Sequence, residues 1–145
     1  MKIREFQKKI ADALNTVEEL VQGGCRAFAE DALTVVNDVA QQLQTARGVA
    51  VVVTTPRFAR SASGCADGIP AECQLEVKCL EKPAINREAT GHLTALDAAE
   101  EVAHALDGET LEFASLEQYV EERTGTVVVT VAFGVDILLT QEEGE

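Results

Sequence analysis

The fold class follows from residues 71–106, which read AECQLEVKCLEKPAINREATGHLTALDAAEEVAHAL. The first part alternates strictly between apolar and polar residues, and its apolar positions are Cys73, Leu75, Val77 and Cys79. Such alternation predicts a strand with one buried face and one face in water. Pro83 ends this strand pattern because proline cannot donate a ladder hydrogen bond. A polar loop then leads to a helix that we expect to begin near Thr94.

The helix after the loop has both a start signal and an apolar stripe. Thr94 is a suitable N-cap, and Asp97 follows three residues later in a pattern like a capping box. The stripe consists of Leu96, Ala99, Val102, Ala103 and Leu106. Asp107 and Gly108 end the helical pattern. We therefore predict an amphipathic helix that packs on the sheet.

Upstream, residues 49–55 read VAVVVTT and are apolar at almost every position. A run of this kind is typical of a central strand that is covered on both faces. We expect residues 49–58 to pair antiparallel with the strand at 71–81. Pro56 loosens the run. The Gly- and Ser-rich residues 61–70 form the tip of a long hairpin.

The remaining periodic segments complete an α+β domain that spans residues 1–145. Helical spacing of apolar residues predicts helices over residues 2–14 and 30–46. Residues 111–120 are predicted to be extended, and 126–139 to form the longest strand. We expect a mainly antiparallel sheet of about four strands with a long hairpin, and helices packed on one face.

The charge distribution argues against nucleic acid and membrane as direct partners. The net charge is −13, and residues 97–145 hold 13 acids and one base, Arg123, whereas residues 1–96 are nearly neutral. Binding to phosphate backbones or to anionic lipid needs basic patches. The acidic third is either a solvated face or a surface that repels nucleic acid or meets a basic partner. The basic N-terminus lacks the apolar core of a secretion signal, so the expected compartment is the cytoplasm of the producing cell.

No pattern in the sequence predicts a catalytic, cofactor or metal site. Cys73 and Cys79 are predicted to be core residues. A zinc site would need Cys65, His92 or His104 as further ligands, at spacings that match no zinc motif. A small enzyme or metal-binding protein therefore remains only an alternative of a different class.

The loop at residues 81–91, EKPAINREATG, is the least ordinary part of the chain. Ile85 is apolar within polar surroundings, and Asn86 places a turn former beside the five-donor cation of Arg87. The loop is either structural or a contact surface for a neighbouring subunit. Residues 57–68 are a second candidate contact segment, since long hairpin tips often serve assembly.

This loop also carries a resemblance to a known group of proteins. The pattern E-x-P-x-I-N-R, a short loop with T-G, and T-A-L-D-A-A-E-x-V-A-x-x-L are similar to small tail-assembly proteins of phages and prophages. Upstream, F-A-E-D-A-L-T-V-V-N-D-V-A-Q-Q-L and G-V-A-V-V-V-x-x-P fit the same pattern. Together they cover residues 28–106, and the sequence most resembles the tail terminators, also called minor tail or tail-completion proteins.

The resemblance implies a non-enzymatic subunit that forms a homo-oligomeric ring, usually a hexamer. Such a ring caps the tail tube, stops its growth and joins the tail to the head, so tail-tube and head-completion proteins are the implied partners. The interface would include Arg57, Arg60, Ile85, Asn86 and Arg87, and the acids of residues 97–145 would line the lumen. A different neck, tail or baseplate component is the nearest alternative. The implied location is the bacterial cytoplasm during assembly, and the virion tail in an active phage.

Overall fold

The computed structural model describes residues 3–30, 48–60, 69–86, 91–108 and 111–139, with the side chains of 69–70 and 135–139 left aside. The described helices are α1 (Ile3–Leu14), α2 (Glu18–Gln22), α3 (Pro83–Asn86) and α4 (Ala95–Leu106). The described strands are β1 (Arg26–Ala29), β2 (Ala50–Val53), β3 (Arg57–Arg60), β4 (Ile69–Glu81), β5 (Glu112–Glu121) and β6 (Thr126–Leu139). The helix predicted over residues 30–46 lies almost entirely outside these ranges.

The α+β class is confirmed and most strand pairs are antiparallel as predicted, but the described sheet has more than the expected four strands and includes a parallel pair. The sheet has six strands in the order β1-β2-β4-β6-β5, and β3 pairs with β4 off this path. β1 and β2 are parallel, whereas the other pairs are antiparallel. Parallel neighbours need a crossover of a dozen or more residues. The segment at 30–49 between these strands is long enough for one.

The long antiparallel pairing around β4 is confirmed. β4 and β6 pair without a break from Ile69 opposite Leu139 to Glu81 opposite Val127. The other edge of β4 carries two short strands, with β2 beside residues 77–80 and β3 beside residues 71–74. Pro56 lies between these two strands, as its missing N–H predicts.

One face of the sheet, which we call the helix face, carries the main core. β4 supplies Leu75, Val77 and Cys79 to it, and all three are buried completely. The other strands and the helices complete the core with Ile10, Ala11, Leu14, Leu20, Ala27, Val49, Val51, Val53, Ala95, Ala98, Ala99, Val102, Leu111, Val129, Val131 and Phe133. Because the odd-numbered residues of β2, β4 and β6 all point this way, α1, α2 and α4 of the described structure pack on this face.

The opposite side of the sheet, which we call the far face, is polar over most of β4. Glu72, Gln74 and Glu76 lie on it, and each alternates with a buried neighbour. A small apolar cluster of Phe28 and Ala50, with Leu80 packed against it, also lies on this side. The alternation predicted from residues 71–81 is therefore the alternation observed.

The start of α4 agrees with the sequence signal. The Thr94 hydroxyl accepts a hydrogen bond from the Asp97 backbone N–H at 3.2 Å. The helix ends at Leu106, with Asp107 as its C-cap. An N-cap bond of this kind contributes about 1 kcal/mol. It fixes where the polar loop ends and the helix begins.

Candidate assembly surfaces

The polar loop before α4 is anchored by a buried carboxylate at the end of β4. Glu81 is 5% exposed and Asn86 is 4% exposed. Asn86 Nδ2 donates to Glu81 Oε2 at 2.5 Å and to the carbonyl oxygen of Leu93 at 2.9 Å. The backbone N–H of Ala95, in the first turn of α4, donates to Glu81 Oε1 at 3.0 Å. The carboxylate therefore joins the strand to both the loop and the positive end of the helix.

The same loop approaches the Gly23–Gly24 pair very closely. The Leu93 N–H donates to the Gly23 carbonyl oxygen at 2.8 Å. Gly24 has φ +81°, and a Cβ atom there would lie 2.5 Å from His92 Cδ2. His92 Nδ1 lies 3.1 Å from Asn86 Oδ1. The two glycines, which in the sequence indicate only a turn, therefore also make room for neighbouring side chains, Gly24 for the imidazole ring and Gly23 for Leu93.

These contacts place the predicted loop residues in different surroundings. Asn86 points into the subunit, and its side-chain bonds hold the loop in place. Ile85 is half-buried, and Arg87 lies outside the described residues. The loop's role in a subunit interface stays a prediction. Within the structure, Asn86 is an internal anchor, because its amide is already bonded to the carboxylate of Glu81.

The two arginines of β3 are exposed, but they lie on opposite faces of the sheet. Arg57 pairs with Gln74 and therefore lies on the far face. Arg60 pairs with the buried Ala71 and lies on the helix face. The half-buried Phe58 shares the helix face through its pairing with Cys73. β3 is thus a short, exposed strand with a basic residue at each end.

The far face near β3 has a shallow polar cleft of about 240 Å³. Arg57 lines it together with Glu72 and Glu76, and neither a histidine nor a cysteine contributes to the lining. An arginine and two carboxylates in one cleft can form hydrogen bonds and ion pairs with polar groups of a partner.

β5 is the most exposed strand. Only Leu116 among its ten residues is even half-buried. Three large apolar side chains on it are about half exposed, namely Phe113, Tyr119 and Val120. Phe113 also contacts the core residue Phe133 edge-on, with ring centroids 6.3 Å apart. A long exposed edge strand with apolar side chains is a surface on which another strand readily pairs.

The edge at β1 is closed by a side chain. Asn15 Nδ2 donates to the carbonyl oxygen of Ala27 at 3.0 Å, and the Ala27 N–H donates to Asn15 Oδ1 at 2.8 Å. The amide thus occupies both backbone groups that a further strand would use. The side chain of Arg26 lies over the Phe28 ring, 5.0 Å from its centroid. β1 is therefore a protected edge, unlike β5.

Cys73 and Cys79 are buried in the core, as predicted, whereas Cys25 is half-buried and Cys65 lies outside the described residues. Burial raises the pKa of the Cys73 and Cys79 thiols. Cys25 has a pKa raised to about 12, first by burial and then by the negative charge of Glu81. Thiols with raised pKa are poor nucleophiles and poor metal ligands. Among the described residues, no cluster of three or more His, Cys, Asp or Glu side chains is arranged to hold a metal ion.

The acids of the C-terminal third do not share one surface. Asp97 and Glu100 are exposed on α4, which covers the helix face. Glu117 and Glu121 are exposed on β5, and their partners Thr130 and Thr126 place them on the far face. The acids on α4 and those on β5 therefore cannot all face the same lumen. That any of them lines a lumen stays a prediction. Among the described helices, none is long and apolar enough to cross a membrane.

Comparison with known proteins shows a likeness in fold. No family model matches the sequence, and no curated protein matches it. Ten chains of solved structures do match. One belongs to the virion of a native gene transfer agent (GTA) particle, with a TM-score of 0.58 and 16% identity. The match covers 90% of this chain and 92% of that chain, so the two share a fold over nearly their whole length.

Proposed function

We propose that this protein is a structural subunit of a phage-like particle, and more specifically a tail terminator. In this role, copies of the chain form a ring on the end of the finished tail tube. The ring stops tube growth and presents a surface to head-completion proteins. It is assembled in the cytoplasm of the producing bacterium and becomes part of the virion.

The observation that carries this proposal is the full-length fold likeness to a chain of a virion particle. It agrees with the tail-assembly pattern of residues 28–106, which comes from the sequence alone. The described part of the chain adds two exposed strands and a cleft with charged side chains, which support a role in assembly. The finer assignment to the terminator rests on the sequence pattern.

The decisive experiment is deletion of the gene in a cell that produces the particles, followed by electron microscopy of the lysate. Loss of a terminator leaves tube growth unchecked, so we expect tails of abnormal and variable length that are not joined to filled heads. Expression of the intact chain from a plasmid should restore tails of uniform length. Purified protein added to polymerising tube subunits should likewise shorten the tubes and appear at one end of them.

The same micrographs distinguish the alternatives. A neck component would leave tails of normal length that lie free of heads. A baseplate component would leave heads without tails, because tube growth would not begin. Particles indistinguishable from those of the parent cell would overturn the structural role itself.

A further inference from the structure

We propose that neighbouring copies of this chain join edge to edge, with β3 of one copy pairing antiparallel with β5 of the next. This inference rests on the proposed function as a ring subunit and names the surfaces that build the ring. The partner is a second copy of the chain. The contact is heterologous, because a different strand from each copy contributes to it, and a heterologous contact generates a ring when its rotation closes.

The strand directions satisfy this arrangement. β4 is antiparallel to both β3 and β6, and β6 is antiparallel to β5. The four strands β3, β4, β6 and β5 therefore alternate in direction. Because the number of alternating strands is even, the two outer strands, β3 and β5, run in opposite directions. A neighbouring copy related by rotation therefore places its β3 antiparallel to β5, with the helices of both copies on the same side of the combined sheet. The combined sheet is continuous and strictly antiparallel.

The charges of the two strands are complementary, although the chain as a whole is acidic. β3 has the sequence RFAR, and β5 has EFASLEQYVE. Pairing of β5 with another β5 about its centre would set Glu112 opposite Glu121, and like charges that face each other are destabilising. Pairing with β3 instead sets Arg57 against Glu117 or Glu121 on the far face, which favours the head-to-tail contact over a two-fold one.

The side chains also match face by face. A register with Arg57 opposite Glu117 on the far face places Phe58 opposite Leu116 on the helix face. A shift of four residues sets the same arginine against Glu121 and preserves the match. The first register covers the half-buried Phe58 and Leu116, and the second sets Phe58 opposite the exposed Val120. Cross-strand pairs of this kind contribute roughly 0.2–1 kcal/mol each.

The positions of the two strands along the sheet suit a closed ring. β5 lies beside residues 126–134 of β6, whereas β3 lies beside the part of β4 that pairs with residues 134–137. Each copy would therefore be displaced along the strand direction relative to the next. Closure of a sheet requires such a stagger together with a tilt of the strands. The blocked edge at β1 leaves β5 as the open end of the main strand path in the described structure.

Charge reversal tests the pairing. Sedimentation velocity over a wide concentration range should show self-association of the intact chain. We expect Arg57→Glu, and separately Glu117→Arg with Glu121→Arg, to raise the concentration for half-assembly by about tenfold or more. The variant that combines these three changes should assemble again, because opposite charges then face each other with the signs exchanged.

Matched controls separate the pairing from a general charge effect. Arg4→Glu matches the charge change of Arg57→Glu, and Glu5→Arg with Asp12→Arg matches that of the glutamate reversals, on exposed positions of α1. These variants should associate like the intact chain, and circular dichroism should show that all variants fold. An intact chain that stays monomeric, reversed variants that assemble normally, or a combined variant that folds but does not assemble would each overturn the pairing.

Capping of tail tubes by the same proteins distinguishes this inference from the proposed function. Rings that depend on these charges but never cap tubes would leave the pairing standing and remove the terminator role. Capping that persists in the reversed variants would leave the terminator role standing and overturn the pairing.

Discussion

Replacement of Asn86 by alanine should strongly destabilise the single chain. The change removes the bonds to Glu81 at 2.5 Å, to the Leu93 carbonyl at 2.9 Å and to His92 at 3.1 Å. A hydrogen bond to a charged group is worth roughly 1.5–3 kcal/mol and a neutral one about 1 kcal/mol. Their sum is an upper bound, since water entering the gap restores part of the loss. We expect a decrease of about 3 kcal/mol in the free energy of unfolding.

Urea unfolding at neutral pH and low protein concentration measures this change without a contribution from self-association. The melting temperature should fall by roughly 6–12 °C, because a chain of this size shifts by about 2–4 °C per kcal/mol. Gln22→Ala is the matched control, since it also removes an amide bond to a carboxylate, that of Glu18, but on the surface. Its effect should stay within about 0.5 kcal/mol.

A small effect of Asn86→Ala, equal to that of the control, would refute the reasoning that the buried network holds the loop. Unchanged stability of the single chain together with lost self-association would place Asn86 in a subunit contact, as the sequence predicts. Asn86→Asp provides a second measurement. A carboxylate beside Glu81 brings two like charges together in a buried place, so the loss of stability should be largest at neutral pH and diminish in acid.

Three further changes test other parts of the structure. Alkali should destabilise the chain, because the Cys25 thiol has a pKa raised to about 12. The stability that this thiol contributes below pH 9 is lost as the pH rises toward 12. In urea unfolding at several pH values, the free energy of unfolding of Cys25→Ala should therefore decrease less steeply with pH than that of the intact chain. Gly24→Ala should cost roughly 1–3 kcal/mol in thermal unfolding, because φ is +81° and the ring of His92 blocks the added methyl group. Asn15→Ala should cost about 2 kcal/mol and, by freeing the edge at Ala27, increase light scattering on storage.

Each of these three substitutions has a control variant or an outcome that would contradict the prediction. Gly125→Ala also forces a side chain into positive φ, but into open space, so its cost should be clearly smaller than that of Gly24→Ala. A pH profile of Cys25→Ala that is identical to that of the intact chain would remove the thiol as the source of the alkaline loss. An Asn15→Ala protein that loses stability without associating would show that the amide stabilises β1 but does not prevent another strand from pairing with its edge.

The elements with strong local signals are predictable from the sequence. The alternation at residues 71–81, the apolar run of 126–139 and the Thr94 cap each identify an element whose type depends on neighbouring residues in the chain. The pairing of the short strands is not predictable in this way. Residues 26–29 read RAFA, which permits a brief extended segment, but only the structure shows that the distant β2 is its parallel partner. Local sequence patterns therefore do not predict the parallel pair, nor that the sheet is mixed.

The same limit applies to the loop at residues 81–91. Its composition marks it as unusual, but burial of Asn86 depends on Glu81, His92 and the glycines at 23–24, which meet it only in three dimensions. In the sequence, an asparagine beside an arginine in a polar loop indicates a surface. The structure turns its amide inward, because a buried carboxylate needs donors and the helix N-terminus alone supplies too few.

The residues that carry the resemblance to tail proteins and those that suit assembly are therefore different sets. A buried Glu–Asn pair tolerates few substitutions, because replacement of either partner leaves the other with unsatisfied bonds. An edge strand such as β5 needs only backbone groups, alternation and a suitable charge, so many sequences serve equally well. The Glu81–Asn86 network thus belongs to the scaffold of the single chain, whereas the proposed contact at β5 depends on few particular side chains.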